Sequence, residues 1–267
     1  MERRHHPAVD GSCMNSHRYK AIVSSDWSEC LSPNGPFDPI SVTYPELGPE
    51  LSRVFRAYTG NEMSLTLAVE QIGKMLRRPL SREQMDAYLD AYFRTYTGVP
   101  NLIEWCLARQ VLFMINTTGA KGYFQRVFAK GLMPPVPVVS ANPMIAFPDD
   151  AEGSERYAYE VLEIDDKPKN TKAVMKAYGI RSSKLIVIGD SGGDGPHFQW
   201  AAKMGGFLVG SMTKPSLTHF CSLRGIEIDR FFGLEYRPHQ KRNRKKEMTV
   251  DFTELADLIS DLFNTEV

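Results

Sequence analysis

The sequence contains no run approaching the roughly 18 consecutive apolar residues of a membrane helix, so a membrane-spanning role is not expected. It also lacks an excess of either charge, since 32 Lys and Arg residues are matched by 32 Asp and Glu. A balanced chain has no global field to hold nucleic-acid phosphates or an anionic membrane, so any nucleic-acid contact would have to be local. Cysteine is scarce. Cys13, Cys30, Cys106 and Cys221 stand far apart and form neither a CxxC pair nor a disulfide framework, which favours unpaired thiols in a reducing compartment. The basic start, Met1 to Pro7, is followed by polar residues up to Lys20 rather than by an apolar signal segment. The expectation is a cytoplasmic protein whose residues 1–18 form a mobile tail.

What is present is ordinary in bulk. With 267 residues, 42% hydrophobic and 24% charged, the chain has room for one large domain, or a core plus a smaller unit. The first strand signal, residues 19–25, stops at Asp26. Five prolines then interrupt residues 31–49, which reads as a linker. Ser81-Arg82-Glu83-Gln84 has the form of a capping box. Met85, Tyr88, Leu89, Tyr92, Phe93 and Tyr96 follow at helical spacing, which predicts an amphipathic helix over 81–97. Weaker versions of this pattern occupy 47–58 and 63–77, so a small helical module is expected to pack on the rest.

After Pro100 the pattern alternates. Helices are expected at 101–109, 122–130, 170–178, from Pro196 onward and at 252–263. Strands are expected at 111–115, 136–139, near 159–164, at 184–188 and at 207–209. Such alternation predicts an α/β fold, with a doubly wound, mostly parallel Rossmann-like sheet and an inserted all-helical unit. The boundaries are 19–39 and 106–267 for the α/β core and 40–105 for the helical insert.

In such sheets ligands bind beyond the carboxyl ends of the strands. The residues there are Asp26 after the first strand, then Asn116, Thr117, Thr118 and Gly119. After the strand ending at Ile188 comes Gly189-Asp190-Ser191-Gly192-Gly193-Asp194, and Lys167 or Lys169 precedes the intervening helix. Three carboxylates at one edge repel one another, and a hard divalent cation with oxygen ligands, most naturally Mg2+, relieves that repulsion. A lysine, a threonine hydroxyl and backbone N–H groups near Gly119 would complete a pocket for a phosphoryl group. Asp26 held in line with phosphorus can attack it, forming an aspartyl-phosphate that water later hydrolyses.

In order and spacing, Asp26, Thr117, Lys167-Pro168 and Gly189-Asp190-Ser191 with Asp194 resemble the four motifs of the haloacid dehalogenase-like hydrolase superfamily. The resemblance spans residues 19–210. It implies that Asp26 is the nucleophile, that Thr117 and Lys167 hold the phosphoryl group, and that Asp26, Asp190 and Asp194 hold Mg2+ with the Ser28 carbonyl. It also implies that the insert is a cap closing over a small phosphorylated substrate. Lys167 is favoured over Lys169 because it precedes proline, as the family's lysine often does; Thr117 and Thr118 remain alternatives. The departure is Ser28, where the family's phosphatases carry a second aspartate that protonates the leaving group. Three consequences are open: a leaving group that needs no acid, as in an acyl phosphate or a phosphonate; a proton from Glu29 or a cap residue; or a silent module that binds phosphate without turnover.

Plainer roles compete with these. Asp194 can cap the helix that Pro196 opens, and Asp190 can be a turn residue. His197 and His219 are expected to be structural rather than substitute acids. Trp27 and the aromatic residues of 85–96 read as packing. The basic block 237–246 reads as a solvated loop rather than an RNA surface, because no aromatic residues interleave it.

Overall fold

The computed structural model describes residues 19–60, 62–147 and 154–264; the expected tail, with Cys13, lies outside them. In chain order the elements are β1 (Ala21–Ser25), α1 (Asp38–Thr43), α2 (Gly48–Thr59), α3 (Leu65–Met75), α4 (Arg82–Tyr92) and α5 (Val99–Ala108). Then come β2 (Val111–Ala120), α6 (Lys121–Ala129), β3 (Val138–Asn142), β4 (Tyr159–Glu160), α7 (Asp166–Tyr178) and β5 (Leu185–Gly189). The chain continues with α8 (Gly195–Lys203), β6 (Phe207–Thr213), α9 (Pro215–Ser222), β7 (Arg230–Glu235), α10 (Arg244–Glu247) and α11 (Glu254–Asn264).

The strands form one seven-stranded sheet in the order β4-β3-β2-β1-β5-β6-β7, and every pairing is parallel. β1, β2 and β5 are buried on both faces, because helices cover both. One core layer includes Val23, Phe113, Ile186 and Phe252, and the other Ile22, Leu112, Val187 and Phe198. The expected α/β architecture is therefore present. Among the described residues no helix is long and apolar enough to cross a membrane.

Several boundaries differ from the sequence reading. The helix expected over 81–97 ends at Tyr92, although its capping box forms as expected, with Gln84 N donating to Ser81 Oγ and Ser81 N to Gln84 Oε1. Tyr96 leaves the helix to stack on Phe252, with ring centroids 5.5 Å apart. The linker 31–49 contains α1, where Pro39 occupies the first turn and needs no N–H partner. α7 begins at Asp166, so Lys167 lies in its first turn rather than before it. α5 packs on β2 and α11, and thus on the core layer. β7 and α9 were not anticipated. β7 is an edge strand broken by Gly233, so it shows no apolar run.

Candidate active site

The chain builds β1 to β4 on one side of the sheet and then crosses to β5, so the topological switch lies between β1 and β5. Ser25 pairs with Ile188, and Asp26 N donates to Ile188 O at 2.9 Å. Asp26 and Asp190 therefore leave adjacent strands side by side. Beyond β5 the chain turns sharply and the Asp194 carboxylate folds back, its Oδ2 accepting from Asp190 N at 2.9 Å and Ser191 N at 3.3 Å. This return requires glycine at 189, where a Cβ would lie 2.6 Å from Asp194 Cγ. The outcome is that ligand oxygens of Asp26, Asp190 and Asp194 all lie within 4.8 Å of one another, and all three residues are buried.

Lys167 stands between two of them, with Nζ 3.0 Å from Asp26 Oδ1 and 2.6 Å from Asp194 Oδ1. Lys169 points outward and pairs with Asp166, so of the two lysines Lys167 is the one that meets the acidic trio. Its helix is fixed to the sheet by Asn116, whose Nδ2 donates to Lys167 O and to Thr171 Oγ1 at 2.9 Å each. β2 runs to Ala120 instead of stopping at residue 115, because β3 pairs with Asn116 and Ala120. Thr117 is buried, its hydroxyl lies close enough to Asp26 to favour the ionised carboxylate, and its Oγ1 accepts from Gly119 N at 3.2 Å. Gly119 also adjoins Ser28: a Cβ there would sit 3.5 Å from Thr117 Oγ1 and 3.7 Å from Ser28 Oγ. Thr118 meets the helical insert, accepting from the Tyr58 hydroxyl of α2 at 2.8 Å.

A second ionic chain continues the first. Lys214, just after β6, lies 2.6 Å from Asp190 Oδ2 as an ion pair without good hydrogen-bond alignment. It also hydrogen-bonds Glu29. Arg242 reaches Glu29 from the other side and grips Glu247 with Nε at 2.9 Å and Nη2 at 2.6 Å. Glu247 is fully buried and accepts as well from the hydroxyls of Tyr96 and Tyr236. Arg242 is thus an internal anchor, which corrects the reading of 237–246 as only a solvated loop. Glu29 adopts a left-handed backbone, φ 61°, uncommon for a non-glycine residue, and the two cations hold it there.

Five carboxylates in this network face three cations, leaving two negative charges in a buried space. The titration behaviour follows. Burial, with Asp194, Asp26 and Glu29, pushes the Asp190 carboxyl up to about 7 against the pull of Lys214. Burial also raises Asp26 despite Lys167. Burial opposes the charge on Asp194, but Lys167 and two backbone N–H groups hold its pKa below the usual range. Glu29 is likewise lowered, because Lys214 and Arg242 outweigh burial. A carboxylate held ionised in this way is a poor proton donor, which tells against Glu29 as the substitute acid. His197 is buried and pushed down to about 3, with Nε2 3.0 Å from Thr171 Oγ1, so it is a neutral structural residue.

Lys214, Arg242 and Tyr58 were not among the expected site residues. Lys214 carried a usable signal, a charged residue directly after a strand at the carboxyl edge, obscured because β6 was expected to end at residue 209.

No family model matches the chain, and no curated protein matches it. Solved structures do. One described as a phospho-aspartyl intermediate analogue of phosphoserine phosphatase superposes with a TM-score of 0.64 at 15% identity, covering 90% of this chain and 99% of that one. A substrate-bound phosphoserine phosphatase gives 0.65 at 15% identity, covering 90% and 98%. A HAD family hydrolase from Salmonella enterica subsp. enterica serovar Typhi gives 0.56 at 13% identity, covering 80% and 67%. The chain thus shares its fold with these phosphatases and this hydrolase, and a buried cluster of carboxylates and lysine lies at its topological switch.

Proposed function

We propose that this protein is a Mg2+-dependent, phosphatase-like hydrolase acting on a small phosphorylated substrate. The observation that carries this reading is the meeting of Asp26, Asp190 and Asp194 within 4.8 Å, bridged by Lys167. The donor set fits the ion: the candidate ligands are hard oxygens, and the network's two surplus negative charges match one divalent cation. Asp26, Asp190, Asp194 and the Ser28 carbonyl would hold it, and Asp194 would also orient Lys167. Bound there, Mg2+ would neutralise developing charge on the phosphoryl oxygens.

In this mechanism Thr117 and Lys167 position the phosphoryl group and Asp26 attacks phosphorus. The alkoxide leaves, and water later cleaves the aspartyl-phosphate and restores Asp26. Lys167 keeps its proton, because Asp194 and Asp26 stabilise the ammonium against the cost of burial. Tyr58 is our candidate for the missing proton donor. Burial raises the pKa of its phenol, so it carries a proton at neutral pH, and it reaches the phosphate-binding edge from α2. Helices α1 to α4 would act as the cap, excluding water during the reaction.

Purified protein with Mg2+ and an aryl phosphate should release phosphate, and Asp26→Asn should abolish release. Ser28 favours a second reading, a phosphate-binding module without turnover. Binding of inorganic phosphate with no hydrolysis of any ester would establish that alternative.

A further inference from the structure

The Asp190 main chain is fixed from both sides, with Asp190 N donating to Asp194 Oδ2 at 2.9 Å and Lys214 N donating to Asp190 O at 2.7 Å. Its side chain is less committed. Asp190 Oδ2 lies 2.6 Å from Lys214 Nζ, yet among the described residues it completes no hydrogen bond of good geometry. Lys167 differs, because its Nζ donates to Asp26 Oδ1 at 3.0 Å and to Asp194 Oδ1 at 2.6 Å. Of the two ammonium groups beside the trio, Lys214 is therefore the one whose contact a metal ion can replace: that contact rests on charge rather than on an aligned N–H.

Lys214 also has a second partner to fall back on. Its ammonium hydrogen-bonds Glu29 and faces the ring of Phe55 in α2, 5.6 Å from the centroid. Glu29 and Phe55 line a cavity of about 180 Å³ together with Asp38 and Ser52, so an ammonium displaced from Asp190 can be solvated there. A smaller cavity adjoins Ser28 and Gly119 on the insert side, between Ile40 of α1 and Met85 of α4. It has water-accessible space of about 20 Å³, and none of its lining residues carries a formal charge, so the competing charge comes from Lys214. Like charges repel far more strongly inside a protein than in water. A divalent cation at the trio is opposed by an ammonium 2.6 Å from one of its ligand oxygens, and Glu29 relieves the conflict by holding that ammonium. Building on the Mg2+ site of the phosphatase reading, we infer that Lys214 competes with the divalent cation for Asp190, and that Glu29 sets the strength of the competition.

The test is calorimetric titration of Mg2+ into the full chain without substrate, at fixed pH and ionic strength. Lys214→Met keeps the main-chain bond to Asp190 O and removes only the ammonium, so that five carboxylates face two cations. Mg2+ should then bind at least about tenfold more tightly. Glu29→Gln leaves Lys214 to Asp190 alone and should weaken Mg2+ by at least about threefold. Lys169→Met removes an exposed charge paired with Asp166, and the affinity should stay within about twofold of the parent. Thermal unfolding should give the same ranking, with the largest Mg2+-induced rise in Tm for Lys214→Met. If Lys214→Met binds Mg2+ no more tightly than the parent, the ammonium does not compete, and the inference is overturned while the phosphatase reading stands. Should that variant fail to fold, Glu29→Gln decides alone, and unchanged or tighter binding overturns the competition. If neither the parent nor any variant binds Mg2+, the inference falls; if no phosphate ester is hydrolysed and inorganic phosphate does not bind, the phosphatase reading falls as well.

Discussion

On the sheet side of the cleft, five carboxylates and three cations are linked through Lys167, Lys214 and Arg242. None of the residues around the adjoining cavity on the insert side carries a formal charge. The difference is one of dielectric and commitment. Each buried charge on the sheet side depends on its partner, so removing one strands another. Apolar contacts on the insert side are individually replaceable. Room is also a poor guide to chemistry here. A cleft of about 670 Å³ opens at the opposite strand edge near Leu185, Phe207 and Arg224, but the acidic trio and its lysines lie elsewhere.

The largest effect that would expose this contrast is expected from Lys167→Met. Lys167 is 2% exposed and is a shared partner of Asp26 and Asp194. Removing its ammonium leaves two buried carboxylates facing each other, which should cost about 3–5 kcal/mol in denaturant unfolding at pH 8. The loss should shrink towards pH 5 as a carboxylate takes up a proton. An equal loss at both pH values would contradict the charge coupling.

Mg2+ should sharpen the comparison next. Asp190 is pushed up to about 7, far above an unfolded aspartate. The folded protein therefore binds this proton more tightly, and its stabilising contribution is complete below about pH 4 and lost as pH rises through about 7. Asp26 is raised and has the same sign, whereas Asp194 is lowered and its contribution is retained above pH 4. The cation binds the ionised form. The stabilisation on adding Mg2+, read from the rise in Tm, should accordingly be larger at pH 8 than at pH 5.5, and amounts to about 2.7 kcal/mol where free Mg2+ is a hundred times Kd. A gain independent of pH would place the ion away from Asp190.

Glu29→Gln follows in size. It removes a charge that Lys214 and Arg242 share, while leaving each its other carboxylate, Asp190 and Glu247. A loss of about 1–3 kcal/mol is expected from urea unfolding, against none if the strained loop at φ 61° simply relaxes.

How much of this the sequence disclosed follows from the range of the interactions. The runs that form β1, β2 and β5 are short, apolar and β-branched, so their burial and the polar residues after them were readable locally. The same holds for the Ser81 capping box, which closes over three residues. Lys214 and Arg242 were hidden because both meet Glu29 across most of the chain, 185 residues away for Lys214 and 213 for Arg242. Strand ends were misjudged where pairing, rather than composition, prolongs a strand: β2 passes through Asn116 to Ala120 because β3 offers a parallel partner. Tyr58 sat in a segment with only a weak helical pattern, and nothing local marks its hydroxyl as the contact to Thr118.

That contact yields the smallest stability effect and the most direct comparison of the two sides. Tyr58→Phe removes a single neutral hydrogen bond to Thr118 Oγ1, 2.8 Å long, and should cost about 0.5–1.5 kcal/mol. If Tyr58 only fastens the insert to the sheet edge, kcat should fall little and KM should change with it. If it donates the proton that Ser28 does not, kcat for alkyl phosphates should fall by about 10²–10⁴. The rate with an ester of a strongly acidic phenol, whose leaving group needs no proton, should stay near the parent value. The alkyl-to-aryl ratio separates the roles even if the variant is somewhat destabilised, because a loss of folded protein lowers both rates together. An unchanged ratio would remove Tyr58 from the chemistry and leave a leaving group that departs unaided as the explanation for Ser28.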